Sequence, residues 1–330
     1  MTAQIFTDQT APSPLSREAA AVISVTHAVP FDDATVSYEI NGAAGAPVVA
    51  VLGGISASRH VGSSPNDLRP GWWEDVVGIA RAIDTTSLRV ISIDYLSRST
   101  RQPPVTTDDQ ARALAAALDH AGVDRLHAIV GASYGGMVAL AFAAAFPSRT
   151  ERVIAISAAH ESDPMSTALR HLQRRVVELG SSLGRDRDAL SIARGIAITS
   201  YLTPAYLEDR LVDEGHDARA AENSIGRYLK VRGEQFADSW TSERYNSLSL
   251  SLDLHDVQPE QIVVPTTVIA ISSDRLVPIA QSRELARRLA GPSQLIELDS
   301  SSGHDAFLDD WQRVAPFITE LLLPAGGTLS

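Results

Sequence analysis

His127-Ala-Ile129-Val130-Gly131-Ala132-Ser133-Tyr134-Gly135-Gly136-Met137-Val-Ala-Leu140 is the stretch from which the rest of the chain can be read. A short apolar run containing the β-branched pair Ile129 and Val130 enters Gly-Ala-Ser-Tyr-Gly, and an alanine-rich helical pattern from Met137 to Phe146 leaves it. Gly-x-Ser-x-Gly between a strand and a helix predicts a nucleophile elbow. The serine sits on a sharp turn in strained backbone. Strand and helix then approach so closely that only glycine fits on either side of it. The serine oxygen stands at a helix N-terminus, where backbone N–H groups favour a developing anion. A tight turn that happens to carry serine matches the same five residues. The strand before and the helix after argue for the elbow.

Working outward, strand and helix patterns alternate. Ala21 to Val29 and Ala34 to Ile40 read as a hairpin turning at Pro30–Asp33. Pro47 to Leu52 and Leu88 to Asp94 are continuous apolar runs, as strands buried on both faces require. Trp72 to Ala82 has helical spacing. Thr107 to Ala121 is an amphipathic helix with Asp108 and Asp109 in its first turn, favourable to the helix dipole. Arg152 to Ser157 is the next strand. From about His160 to Val257 the strands stop, and charged helical segments take over: Ser166–Leu179, Arg187–Tyr201, Pro204–Glu214, Asn223–Ser239 and Tyr245–Leu254. Strands resume at Thr266–Ser272 and Gln294–Asp299, each followed by an amphipathic helix, Ala280–Ala290 and Ala306–Leu323. Such alternation predicts a mostly parallel sheet with helices on both faces. The expected organisation is a core of residues 20–159 and 258–324, an inserted helical cap of residues 160–257 over the C-terminal strand ends, and loose termini at 1–19 and 325–330.

Composition narrows the function. The 330 residues are 44% hydrophobic and carry a net charge of −12. An acidic chain lacks the basic face that nucleic acid needs. No apolar run approaches the ~20 residues of a membrane helix, and residues 1–17 show no secretory signal, so no membrane partner and a cytoplasmic location are expected. With no cysteine there is no disulfide, no thiolate metal site and no Cys nucleophile.

Serine alone is a poor nucleophile and needs a base held by a carboxylate. In the chain order Ser, acid, His, the base lies after the cap. His304, in Ser300-Ser-Ser-Gly303-His304-Asp305 directly after the last strand, is the one histidine of nine that fits. His120, His171, His216 and His255 read as surface or structural, His127 starts the elbow strand, and His60 is ambiguous because it follows the Gly53-Gly54 loop. Asp274, just past the strand Ile269–Ser272, is the expected acid, and Asp299 its nearest rival. Two backbone N–H groups are expected to form an oxyanion hole: Tyr134, and either Ile55 or Gly54 from the loop Gly53-Gly54-Ile55-Ser56. To this point the residues predict an α/β-hydrolase fold with a serine acyl-enzyme. They name neither acyl group nor acceptor. A plain esterase or hydrolase, and a non-catalytic binding protein, are the competing readings.

Three further segments carry a resemblance. Gly71-Trp72-Trp73 to Thr85, Ser272-Ser273-Asp274-Arg-Leu-Val-Pro278 and above all Gly303-His304-Asp305-Ala306-Phe307-Leu308 resemble the homoserine O-acyltransferases of the MetX type. Ala193-Arg194, Tyr201, Tyr228 to Gly233 and Tyr245 to Val257 continue the likeness. It runs from about Phe31 to about Leu322. The resemblance implies ping-pong transfer of an acetyl or succinyl group from acyl-CoA to L-homoserine, in methionine biosynthesis, with no metal and no bound cofactor. It implies Arg194 and Asp305 as substrate-binding residues, which suits a zwitterion's carboxylate and ammonium. It also implies a homodimer joined through the cap. Serine as acceptor stays open. The chain departs from the family at Ser97–Pro104, at the loop Leu52–His60, at Leu202 and at Ala132. Arg59, Arg98 and Arg101 are candidates to meet a succinyl carboxylate or the CoA phosphates, or are simply solvated.

Overall fold

The structure is a computed structural model that describes residues 22–32, 34–99, 101–211 and 224–323. The expected loose ends at 1–19 and 325–330, His216, and the last residues of the segment read as Pro204–Glu214 lie outside the described residues.

The strands are β1 (Val22–Phe31), β2 (Ala34–Ala43), β3 (Val48–Leu52), β4 (Arg89–Ile93), β5 (Ala128–Ala132), β6 (Val153–Ile156), β7 (Thr266–Ile271) and β8 (Ser293–Leu298). They form one eight-stranded sheet in the order β1-β2-β4-β3-β5-β6-β7-β8. The β1–β2 and β2–β4 pairings are antiparallel, and every other pairing is parallel. The apolar runs behave as expected: β3, β5, β6 and β7 are buried along their whole length. Alternate residues feed two cores. Ala50, Leu52 and Ile129 pack on one face, while Val49, Val51, Val130 and Ala132 pack on the other.

The helices are α1 (Thr107–His120), α2 (Tyr134–Ala145), α3 (Pro164–Ser182), α4 (Asp186–Tyr201), α5 (Pro204–Leu211), α6 (Ser224–Ser239), α7 (Ser242–Asp253), α8 (Ile279–Arg288), α9 (Ala306–Asp309) and α10 (Ala315–Leu322). Thr106 and Asp109 close a capping box on α1. Helices α3 to α7 are all inserted between β6 and β7. A small cluster of Val177, Leu190, Ala193, Phe236, Ala237 and Tyr245 holds α3, α4, α6 and α7 together.

Two helical readings need correction. Trp72–Ala82 is not a helix. It folds as turns with a two-residue strand pair, Val77–Gly78 beside Ile83–Asp84. A single turn closes at its start, with Val76 and Val77 donating to Trp73 O, but Trp72 and Trp73 donate to His60 O and Val61 O, and Gly78 and Ala80 take positive φ that ends any helix. Ala306–Leu323 is broken into α9, a 3₁₀ turn at Trp311–Arg313, and α10. Pro316 has no N–H with which to continue the earlier turn.

Candidate active site

The strand ends set the site. β5 leaves the sheet at Ala132, and Ser133 turns the chain into α2 with φ 54° and ψ −122°. That region is costly for a residue with a Cβ. Close packing enforces it. A Cβ on Gly131 would lie 2.3 Å from the Gly135 carbonyl oxygen, and one on Gly135 would lie 2.2 Å from that of Leu52. The glycines on either side of the serine are therefore required by strand–helix contact, as the motif predicts.

His304 and Asp274 arrive from the ends of β8 and β7. His304 Nε2 is 2.8 Å from Ser133 Oγ, and its Nδ1 is 2.7 Å from Asp274 Oδ2. The carboxylate only accepts, so Nδ1 carries the proton and Nε2 is free to accept from the hydroxyl. Asp274 Oδ1 takes the backbone N–H groups of Leu276 and Val277, which fixes the carboxylate from behind. Asp299 instead accepts from Ser272 Oγ. Burial pulls the His304 pKa down, but the charge and hydrogen bond of Asp274 outweigh it, and the imidazole ends above its ordinary value.

The elbow and the Gly53 loop are locked together. Gly53 O accepts from Gly135 N–H at 2.9 Å and from Tyr95 O–H at 2.7 Å. Gly54 and Ile55 then line the cavity in front of Ser133. Tyr134 begins α2, where a first-turn N–H has no intrahelical acceptor. Its buried side chain faces the other way, to Ser251 Oγ at 2.6 Å, and desolvation pushes its phenol up to about 12.

The cavity holds about 1180 Å³ of empty volume, its open mouth included. Sheet-end loops form its floor and α3, α4 and α7 its roof. Arg194 and Asp305 both line it. The Arg194 guanidinium lies over the Tyr201 ring at 5.4 Å and the Phe236 ring at 5.3 Å. Burial raises the Asp305 pKa, against the pull of His304 and Arg194. Arg59, Arg98 and Arg101 are not in the lining. Arg59 pairs with Asp94, and Arg98 lies 3.8 Å from Asp32. His60 is turned away between Glu39 and Arg69 O. His120, His127 and His255 serve Tyr38, Glu151 and Thr107 respectively.

Sequence reasoning missed Arg170, Gln173 and Ser157, which also face the cavity. Ser166, Arg170, Gln173 and Val177 recur at helical spacing on one face of α3, which was the available signal. Ser157 offers none. It follows β6 with φ 48°, and its buried Oγ has no hydrogen-bond partner among the described residues.

Comparisons with known proteins agree with this geometry. Residues 47–310 match the family described as alpha/beta hydrolase fold. The chain is 40% identical to a homoserine O-succinyltransferase of Xanthomonas campestris pv. campestris over 88% of its own length and 79% of the relative's. It is 32% identical to a homoserine O-acetyltransferase of Thermus thermophilus, over 77% of this chain and 72% of that one. A crystal structure of homoserine O-acetyltransferase from Bacillus anthracis superposes with a TM-score of 0.81 at 18% identity, covering 94% of this chain and 100% of that one.

Proposed function

The chain belongs to the alpha/beta hydrolase fold family and, within it, to the homoserine O-acyltransferases, and from that membership we propose that it carries an acyl group from acyl-CoA to the hydroxyl of L-homoserine through Ser133. The observation that carries the mechanism is the hydrogen-bonded series Ser133–His304–Asp274 opening into a roofed cavity that also holds Arg194 and Asp305.

In the first half-reaction Ser133 Oγ gives its proton to His304 Nε2 and bonds to the thioester carbon. The N–H groups of Tyr134 and of Ile55 or Gly54 hold the oxyanion. The C–S bond breaks, and the CoA thiolate takes the proton from His304. In the second, the homoserine hydroxyl gives its proton to Nε2 and attacks the same carbon. The Ser133 ester bond breaks, and Ser133 recovers the proton. Asp274 keeps the imidazole oriented and balances its charge. Arg194 holds the amino acid's carboxylate and Asp305 its ammonium. Transfer competes with hydrolysis because helices α3, α4 and α7 roof the acyl-enzyme and the acceptor is held in line. No step calls for a metal or a bound cofactor. The product, an O-acyl-homoserine, suits methionine biosynthesis in the cytoplasm. Residues 160–257 act as the cap. A second copy is expected to pair through these helices, which expose Leu172, Leu179, Ile192 and Val231.

Purified protein with acetyl-CoA or succinyl-CoA is expected to release no more than about one equivalent of CoA per site by itself, and to turn over only when L-homoserine is added. Ser133→Ala is expected to lose about 10⁴-fold or more in kcat. CoA release at an unchanged rate without homoserine would make the protein a hydrolase. L-serine serving better than L-homoserine would change the acceptor. Full activity in Ser133→Ala would remove the acyl-serine.

A further inference from the structure

The cavity has a second cationic wall that neither the triad nor the amino-acid end uses. Arg170 and Arg174 stand one turn apart on α3 and share Asp253, at the end of α7. Arg170 Nε donates to Oδ1 at 2.5 Å, and Arg174 Nη2 lies 2.6 Å from Oδ2. The three side chains are 12%, 13% and 7% exposed. Arg170 Nη2 donates to Ser162 Oγ, and Arg174 Nη1 to Ser249 Oγ. Two guanidiniums therefore share one carboxylate in a nearly dry place, where each N–H left without an acceptor is costly.

Of the two arginines, only Arg170 lines the cavity, amid Ser162, Ser166, Gln173 and Ser249. Its Nε and Nη2 are committed, while Nη1 has no hydrogen-bond partner among the described residues. Its field reaches the reacting centre, since it lowers the pKa of His304. Two other carboxylates, Asp163 and Glu161, share this lining, so what singles out Arg170 is its unpartnered Nη1 and not the net charge of the wall. Asp163 Oδ1 caps α3 through Met165 and Ser166, and Glu161 is exposed. Asp305 faces Arg194 and His304. A carboxylate at the far end of the acyl chain would give the N–H groups of Arg170 Nη1 the charged acceptor they lack.

We propose that the acyl group borne by Ser133 ends in a carboxylate, as in a succinyl thioester, and that Arg170, braced by Asp253, is the specificity-determining residue that receives it; this rests on the acyltransferase reading of Ser133. The test uses the whole protein with saturating L-homoserine and three donors: succinyl-CoA, butyryl-CoA, in which a methyl replaces the carboxylate, and acetyl-CoA. The wild-type protein is expected to favour succinyl-CoA over butyryl-CoA by about 100-fold or more in kcat/KM. Arg170→Gln is expected to lower the succinyl-to-acetyl ratio of kcat/KM by about 100-fold, and Arg170→Lys to restore part of it. The wild-type comparison needs no variant to fold. Equal use of butyryl-CoA and succinyl-CoA by the wild type, or an Arg170→Gln loss that falls equally on every donor, overturns the proposal. Homoserine-dependent transfer of acetyl alone removes this subsite and leaves the acyltransferase standing. No homoserine-dependent release from any donor removes both.

Discussion

At the scale of single residues, His304 decides the pH behaviour. As the proposed general base it must be neutral, and its pKa is raised because Asp274, helped by Asp305, outweighs desolvation. Protonation removes the base, so activity falls as pH drops through that raised pKa. The acid limb of a kcat/KM profile is therefore expected above the ordinary imidazole value of 6.5. Asp274→Asn removes the charge that raises it. The limb is then expected to move to lower pH, and kcat to fall about 10⁴-fold because the imidazole loses its tautomer. A limb that stays in place in Asp274→Asn would show that another charge sets the His304 pKa. These residues were legible in the sequence because each is fixed by local grammar: a strand, a turn and a stated chain order. For Arg170 only its place on one face of α3 was legible. Its meaning depends on Asp253, which a different helix brings to it, and no local pattern records that pairing.

At the scale of elements, the segment Trp72–Ala82 shows where periodicity misleads. Its apolar residues do recur at helical spacing, yet Trp73, Val76 and Val77 reach the core from turns and a short strand, while Ile79 is left 58% exposed. Tertiary contacts override the pattern. A Cβ on Gly71 would lie 2.1 Å from Val61 carbonyl atoms, and Trp73 is only 2% exposed, with its indole N–H on Phe307 O at 2.8 Å. Phe307 follows the histidine loop, and its ring meets the His304 ring edge-on at 6.3 Å. This non-helical segment is thus the brace under the base. Trp73→Phe keeps an aromatic ring there but leaves the buried Phe307 carbonyl without its donor. It is expected to lose about 1–3 kcal/mol in denaturant unfolding. It should also lower kcat more than the homoserine KM, since the base rather than the acceptor is displaced. A stability loss with unchanged kcat would make the brace a packing contact alone.

At the scale of the molecule, the question is whether the inserted helices behave as a separate body. The strand-free stretch in the sequence suggests that they do, but the packing argues for one cooperative unit. Leu248 and Leu252 of α7 sit in the same core as Tyr95, Tyr134 and Met137. Tyr134 O–H and Ser251 Oγ meet inside it, and buried His255 bridges Thr107 to Ala159 O. At the other edge, Thr203 O–H donates to Ser301 O, and a Cβ on Gly303 would lie 2.5 Å from Tyr201 O. The end of α4 therefore rests directly on the loop that carries His304. Such interlocking predicts a single unfolding transition. Trp240, between α6 and α7, packs on Phe236 at 4.6 Å and touches the core under α7, so it reports the inserted helices and their seat, whereas Trp72, Trp73 and Trp311 report the sheet side. A variant keeping only Trp240 and one in which Trp240 alone is replaced by Phe will differ in stability, so each needs a second probe. Within each variant, the midpoint read by tryptophan fluorescence is expected to coincide with the midpoint read by far-ultraviolet circular dichroism. If the Trp240 signal changes well before the circular dichroism, the inserted helices melt first, and the roof over Ser133 opens independently of its floor.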